Sequence, residues 1–126
     1  MIRLQFIDDK KHPLLDEEAH NKMPGLCYSA RHLLQNCSSA DSAVIAKGSG
    51  GRVIGFARLW TEDSTSAGTW VHPNYRRRGL ALRMWKLLLR RNRTDGNDDV
   101  CITTYTRAGR KLAESMERRG WEVIAS

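Results

Sequence analysis

The segment covering residues 71–85 concentrates the residues whose types and spacing can bind an anion. Pro73 has no N–H to give to a β-ladder, so it ends the apolar strand that precedes it. Three arginines follow at 76–78, and Gly79 then stands where a run with helical spacing begins. The first N–H groups of a helix have no partner within the helix, and a glycine lets a ligand come close to the backbone. The segment therefore predicts a site for phosphate or pyrophosphate at the start of a helix.

The same segment resembles the acyl-CoA-binding signature of the GNAT superfamily of N-acyltransferases. Arg76, Gly79 and Ala81 match the pattern Arg/Gln-x-x-Gly-x-Gly/Ala, and Val71 and Pro73 match the Val-x-Pro that precedes it. The resemblance implies acetyl-CoA (CoA) as the cofactor and direct attack of a neutral amine on its thioester in a ternary complex. The cofactor-binding residues that it implies are Trp70, Val71, His72, Arg76, Arg77, Arg78, Gly79, Leu80 and Ala81.

The sequence departs from that family in the groups that transfer protons. Met116 stands where the family usually has a tyrosine that protonates the leaving thiolate, and residues 66–69 contain no carboxylate that could act as a base. Tyr105 and Glu62 are the candidate substitutes, although Tyr105 also suits the core or a sheet edge and Glu62 a solvated turn. A general acid or base contributes about 10²–10⁴-fold, so its loss predicts a slower enzyme rather than an inactive one.

Two further sets of groups complete the expected active site. The resemblance implies that the amide of Val71 donates a hydrogen bond to the oxyanion. The acceptor amine, on a protein or a small molecule, is expected beside residues between and on the early helices. These residues are Met23, Leu26, Tyr28 and His32.

The positive charge of the chain is concentrated in one segment. The net charge is +7, and residues 76–93 hold eight basic side chains and no acidic one. Such a patch suits CoA, but it also suits nucleic acid. An RNA-directed acetyltransferase is therefore one alternative, against which stand the low aromatic content and the lack of a stacking cluster. The departures at Met116 and residues 66–69 favour another alternative, a GNAT-like binding protein that acts by binding, and could inhibit, another protein.

The elements that must position these residues alternate along the chain. Periodicity and turn residues predict strands over 2–7, 43–46, 53–60, 66–71, 100–105 and 121–125, and helices over 14–22, 29–37, 79–91 and 106–119. The order predicts an α+β fold, a three-layer αβα arrangement with a mixed, mostly antiparallel central sheet and flanking helices. It resembles the GNAT fold with the last strand truncated. We therefore expect an open sheet edge, which a second copy could cover to form a homodimer.

Length and composition bound the class of protein. The 126 residues, 40% of them hydrophobic and 28% charged, predict one globular domain over residues 1–126. The three cysteines are odd in number and lie in no Cys-x-x-Cys pair, which predicts neither a disulfide framework nor a metal site. There is no apolar run of about 20 residues and no signal-peptide pattern. The sequence therefore predicts a cytoplasmic protein without a membrane partner.

Overall fold

The structure, a computed structural model, describes residues 1–16, 23–35, 40–61, 65–92, 99–102 and 107–125. Its strands are β1 (Arg3–Ile7), β2 (Ser42–Lys47), β3 (Val53–Trp60), β4 (Thr65–Val71), β5 (Asp99–Ile102) and β6 (Glu122–Ala125). Its helices are α1 (Tyr28–Gln35), α2 (Leu80–Asn92) and α3 (Arg107–Arg118). None of the helices within these ranges has the length and apolar character needed to cross a membrane.

The six strands form one mixed sheet in the order β1-β2-β3-β4-β5-β6. The pairs from β1 to β4 are antiparallel, and β4 with β5 and β5 with β6 are parallel. Helices α2 and α3 supply the two crossovers that parallel neighbours require. The predicted mixed, mostly antiparallel sheet is confirmed, and β6 lies at its outer edge beside β5.

Two apolar clusters cover the two faces of the sheet. On one face Ile45 and Phe56 pack with residues of α1 such as Leu34. On the other face the alternate strand residues, among them Val44, pack with the buried side of α2. Successive strand residues point to opposite faces, so the apolar strands β2 and β3 can serve both clusters at once. The αβα layering follows from this arrangement.

Helix α2 is held closely against the centre of the sheet. Trp85, which is fully buried, donates from its indole Nε1 to the Thr69 hydroxyl on β4 over 3.0 Å. Gly55 on β3 allows the close approach, since a Cβ there would lie 3.1 Å from Met84 Cε and 3.1 Å from the Trp70 carbonyl oxygen. The start of α2 is therefore fixed relative to the end of β4.

The predicted helix over 14–22 is wrong at its start. Residues 10–15 form turns, in which the His12 carbonyl accepts from the amides of Leu15 and Asp16 and His12 Nδ1 accepts from the amide of Leu14. These bonds close the chain locally, and Leu14 and Leu15 reach the core from a turn rather than from a helix face. Residues 17–22 lie outside the described part of the chain, as do residues 103–106 of the predicted strand end and helix start.

Candidate functional site

A β-bulge in β4 lies at the start of the candidate site. Between the pairs Ala57–Thr69 and Leu59–Ser66, one residue of β3, Arg58, faces two residues of β4, Ala67 and Gly68. Gly68 has φ = 123°, a conformation that favours glycine. Bulges bend the strand that carries them and re-aim the residues beyond. The bulge therefore helps set the direction of the segment that ends at Val71.

The buried side chain of Arg58 stabilises this bulge. It is 3% exposed, donates from Nη2 to the Ala67 carbonyl oxygen over 2.7 Å, and donates from Nη1 to the Leu14 carbonyl oxygen over 3.3 Å. Arg58 is not among the residues that the sequence pattern predicted for the site. Its only signal is a charged side chain within an otherwise apolar strand, Val53–Trp60. A buried charge of this kind needs hydrogen-bond partners, and the bulge supplies one.

The backbone of Val71 points away from β3. The His72 amide donates to the Ile54 carbonyl oxygen over 2.8 Å, so His72 and Ile54 form a hydrogen-bonded antiparallel pair. Such pairs alternate with pairs that exchange no bond, so Val71, opposite Gly55, turns its N–H and C=O to the other side. By the same alternation, Trp70 and His72 bond to β3. Of Trp70, Val71 and His72, which the resemblance implies for cofactor binding, Val71 is therefore the one whose backbone N–H and C=O point away from β3.

The end of β4 that carries Val71 extends past the described part of β5. Within the described ranges, the register of these parallel strands joins Thr65 to Cys101 at the start of β4. The other end of β4, six residues further on, carries Val71. The outward amide of Val71 is thus placed at the end of a strand pair, close to the loop that leads into α2.

His72 shapes the loop after β4. Its Nδ1 accepts from the amide of Asn74 over 3.1 Å and caps the 3-10 turn Pro73–Tyr75. Its half-buried ring packs edge-on against Trp70 and against Tyr75, with centroids 6.1 and 5.9 Å apart. The side chain of His72 therefore holds the turn in place, a contribution separate from any contact with a cofactor.

The loop then forms a concave backbone surface at the start of α2. Arg77 has φ = 65° and Gly79 has φ = 74°, so two left-handed residues lie two positions apart. Loops with such alternation turn successive N–H groups toward one side and bind anions. A Cβ at Gly79 would meet no atom within 4 Å, and residues 76–79 are exposed. Leu80 is buried and Ala81 is half-buried, so these two anchor the first turn while the loop stays open.

Arg76 and Arg78 make different contacts. Arg76 Nε donates to the Val71 carbonyl oxygen over 2.8 Å. The Arg78 guanidinium lies over the Tyr75 ring, with Cζ 5.8 Å from the centroid. The first turn of α2 contains no acidic residue. The loop therefore combines helix-end amides with uncompensated positive charge, as the sequence predicted for an anion site.

The residues predicted for the acceptor side fall into two groups. Met23 and Leu26 are buried in the core, and their carbonyl oxygens accept from Arg31. Tyr28 is 82% exposed, and its ring stacks on that of His32 with centroids 6.1 Å apart. The structure therefore brings Tyr28 and His32 together on the surface of α1, whereas Met23 and Leu26 lie beneath it.

Cys27 stands directly before α1. Burial alone would raise the pKa of its thiol. Hydrogen bonds from the Ser29 hydroxyl, whose Oγ lies 3.2 Å from Sγ, and from the amides of Ala30, Ser29 and Cys27 outweigh that effect and lower the pKa. The cause is the start of a helix, whose amides favour a thiolate.

The candidate groups for proton transfer are only partly described. Met116 is fully buried in the cluster that contains Trp85, and its thioether has no proton to give. Glu62 and Tyr105 lie outside the described residues. Within the described parts of the chain, no three His, Cys, Asp or Glu side chains are grouped to hold a metal ion.

Solved structures share this fold. An acetyltransferase of the GNAT family from Streptococcus pneumoniae aligns with a TM-score of 0.55 and 19% identity over 97% of this chain and 88% of that one. AAC(6')-Iy, solved with a bisubstrate analogue, CoA-S-monomethyl-acetylneamine, gives 0.52 and 17% over 97% and 91%. Arabidopsis thaliana NAA60, solved with acetyl-CoA, gives 0.51 and 16% over 93% and 86%. At these identities the likeness establishes the fold. No curated protein matches the sequence.

The mixed sheet with its flanking helices is the fold of these acetyltransferases. The family model described as the acetyltransferase (GNAT) family matches residues 8–120. The chain belongs to the acetyltransferase (GNAT) family.

Proposed function

We propose that the protein is an acetyl-CoA-dependent N-acetyltransferase that transfers an acetyl group to an amine by direct attack in a ternary complex. One observation carries the proposal. The outward amide of Val71 and the anion-binding loop at 76–81 are joined by a short turn, so an acyl donor with a pyrophosphate can contact both. The two ends of acetyl-CoA, a thioester and a nucleotide diphosphate, suit these two groups.

The loop fits the pyrophosphate by charge and by shape. The amides of residues 77–81 and the exposed arginines would bind its oxygens, and the open space at Gly79 leaves room for it. When bound, acetyl-CoA supplies the acetyl group as a thioester. The Val71 amide donates to the acetyl carbonyl oxygen as negative charge develops there, which lowers the barrier because the donor is already oriented by β3.

Proton transfer in this proposal relies on water and on Glu62 and Tyr105. Glu62 accepts the proton of the attacking amine through water, and Tyr105 donates to the leaving thiolate. The acceptor is a primary amine on a protein or small molecule that contacts Tyr28 and His32, which are exposed on α1. A cytoplasmic location, a single domain over 1–126 and a homodimer through the sheet edge remain predictions from the sequence.

Acetyl-CoA should stabilise the folded protein. A ligand at 100 times its Kd contributes about 2.7 kcal/mol by mass action, so we expect Tm to rise by several degrees. Thermal unfolding followed by circular dichroism measures the shift. Acetyl-pantetheine carries the thioester without the pyrophosphate. At the same concentration as acetyl-CoA it should move Tm much less. Equal shifts with both ligands, or none with either, would remove the pyrophosphate loop from the proposal.

A binding protein with little or no catalysis is a second candidate. Met116, at the position of the usual tyrosine, is fully buried and cannot donate a proton. In that case the CoA site would stabilise a surface that another protein recognises, and acetyl-CoA would bind without turnover. Steady-state transfer to a panel of amines, measured by thiol release, separates the two functions.

The outer face of α2, which the RNA-directed alternative would use, should not be required for the binding of acetyl-CoA. Arg83 and Arg90 are exposed on this helix, one and three turns beyond the loop. We expect Arg83→Glu/Arg90→Glu to leave acetyl-CoA affinity within about threefold, since Arg90 lies more than a Debye length from the loop and the exposed charge of Arg83 is partly screened. Arg77→Glu/Arg78→Glu, with the same charge change, should weaken it strongly. Calorimetry at physiological salt measures both.

The RNA-directed alternative makes the opposite prediction in the same variants. RNA binding at low salt does not distinguish the alternatives, because any patch with eight basic side chains binds polyanions at low salt. RNA binding that persists at physiological salt, is not displaced by CoA and is lost in Arg83→Glu/Arg90→Glu would place the functional surface on the face of α2 instead.

A further inference from the structure

We propose that Arg76 is a positioning residue for the Val71 backbone rather than chiefly a ligand of the pyrophosphate, an inference that rests on the proposed function. The bond that carries it runs from Arg76 Nε to the Val71 carbonyl oxygen, 2.8 Å long. It joins the anion-binding loop to the end of the strand whose amide is assigned to the oxyanion. Charge-assisted bonds of this length are among the stronger hydrogen bonds in proteins.

The peptide group between Val71 and His72 is bound at both of its polar ends. Its N–H donates to the Ile54 carbonyl oxygen over 2.8 Å, and its C=O accepts from Arg76 over 2.8 Å. The first bond fixes the peptide to β3, and the second fixes it from the side that faces away from β3. The preceding peptide, which carries the Val71 N–H, shares the Val71 Cα with it. A displacement of one peptide moves the shared Cα and with it the other peptide, so Arg76 limits the movement of both.

Arg76 also changes the charge beside the reacting oxygen. In an extended strand the N–H and the C=O of one residue point to the same side, so the Val71 carbonyl oxygen lies on the same edge as the Val71 amide. Without a partner, that oxygen would place negative charge next to the position where negative charge develops on the acetyl group. The Arg76 N–H binds the carbonyl oxygen and offsets that negative charge, as an N–H donor at the same place would.

The turn after β4 brings the arginine back to the strand. The Tyr75 amide donates to the His72 carbonyl oxygen over 2.8 Å, and the Arg76 amide donates to the Pro73 carbonyl oxygen over 3.4 Å. These bonds fold residues 72–76 so that a side chain at 76 reaches the carbonyl five residues earlier. Arg76 is exposed, so the rest of its guanidinium can still contact a phosphate.

Two substitutions separate the Nε contact from the charge. Arg76→Gln keeps an N–H donor at the same number of bonds from Cα as Arg Nε, but it has no charge. Arg76→Lys keeps the charge and has no donor at that position. We expect Arg76→Gln, which loses the charge but keeps the donor, to lower kcat only a few-fold. We expect Arg76→Lys to lower kcat roughly 10–100-fold, because small misplacements of a catalytic group cost that much, with the KM for acetyl-CoA little changed.

A ligand role for Arg76 predicts the reverse order. Arg76→Lys would then keep both kcat and acetyl-CoA affinity, and Arg76→Gln would raise KM and the calorimetric Kd. That result overturns the proposal. Wild-type kcat in both variants overturns it as well.

A readout that needs no turnover distinguishes failure of this inference from failure of the proposed function. Hydrogen exchange by NMR of the His72 amide, which belongs to the peptide that Arg76 binds, should be faster in Arg76→Lys than in the wild type and in Arg76→Gln. Equal exchange rates in all three proteins would overturn the inference even in an active enzyme. Faster exchange in Arg76→Lys alone would support it even if no amine is acetylated and the proposed function fails.

Discussion

Gly79→Glu should weaken acetyl-CoA binding at least about 100-fold while the protein remains folded. The backbone at Gly79 has φ = 74°, and an added Cβ would enter space that no atom of the protein occupies within 4 Å. A glutamate there fills the room left for the pyrophosphate. A carboxylate about 4 Å from a phosphate charge is unfavourable by about 4 kcal/mol at an effective dielectric constant of 20, and solvent screening reduces that figure. Isothermal titration calorimetry measures the affinity.

Gly50→Glu is the matched control for the strain of the substitution. Gly50 has φ = 72° and, like Gly79, has no atom within 4 Å of an added Cβ, but it lies in the hairpin turn Ser49–Gly51. A left-handed conformation costs a non-glycine residue roughly 1–2 kcal/mol. Both variants should therefore lose similar stability, and only Gly79→Glu should lose affinity. Equal affinities in the two variants would contradict the assignment of the pyrophosphate to this loop.

The parts of the fold with strong periodicity were predictable from the sequence. The strand predicted over 53–60 is β3, Val53–Trp60, and the helix predicted over 79–91 is α2, Leu80–Asn92. In α2 the apolar spacing identified Met84, Trp85 and Leu88, which are all fully buried. Helix α2 follows from its one apolar face, and β3 follows from a continuous apolar run, since both of its faces are buried.

The parts that depend on side-chain bonds to the backbone were not predictable. Arg58 binds Leu14, 44 positions away, and supports a bulge that shifts the register of β4. His12 accepts from the amide of Leu14 through its ring and from the amides of Leu15 and Asp16 through its carbonyl, and gives a turn where apolar and acidic residues suggested a helix. Such bonds leave no periodic signal, because one side chain and one carbonyl suffice.

The candidate site shows the same division. The pattern of residues 71–81 predicted an open, arginine-rich loop at the start of a helix, since glycine and arginine act there through backbone geometry and charge, and the binding of an anion by this loop stays a prediction. It did not reveal that Arg76 binds Val71, because any of three arginines could do so in sequence. The acceptor side was the hardest to predict. Met23 and Leu26 are apolar whether they line a cleft or fill a core, and the structure places both in the core.

Val71→Pro should lower kcat roughly 10²–10³-fold, the effect of removing one oxyanion donor. Proline removes the N–H of residue 71 and nothing else from the ladder, because this N–H points away from β3 while the neighbouring Trp70 and His72 carry the bonds to it. Proline is tolerated in strands where the N–H is not part of a ladder. The residue before it, Trp70, is already extended, as a residue before proline must be.

The companion variant Val71→Ala keeps the amide and shortens a half-buried side chain. It should retain kcat within a few-fold, so any common loss in the two variants reports packing rather than the N–H. Acetyl-CoA affinity, by calorimetry, should change little in either, because the pyrophosphate loop begins five residues later at Arg76. A folded Val71→Pro protein with the kcat of Val71→Ala would exclude the Val71 amide as the oxyanion donor. It would leave the binding of acetyl-CoA at residues 76–81 untouched, since the two groups contact opposite ends of the cofactor.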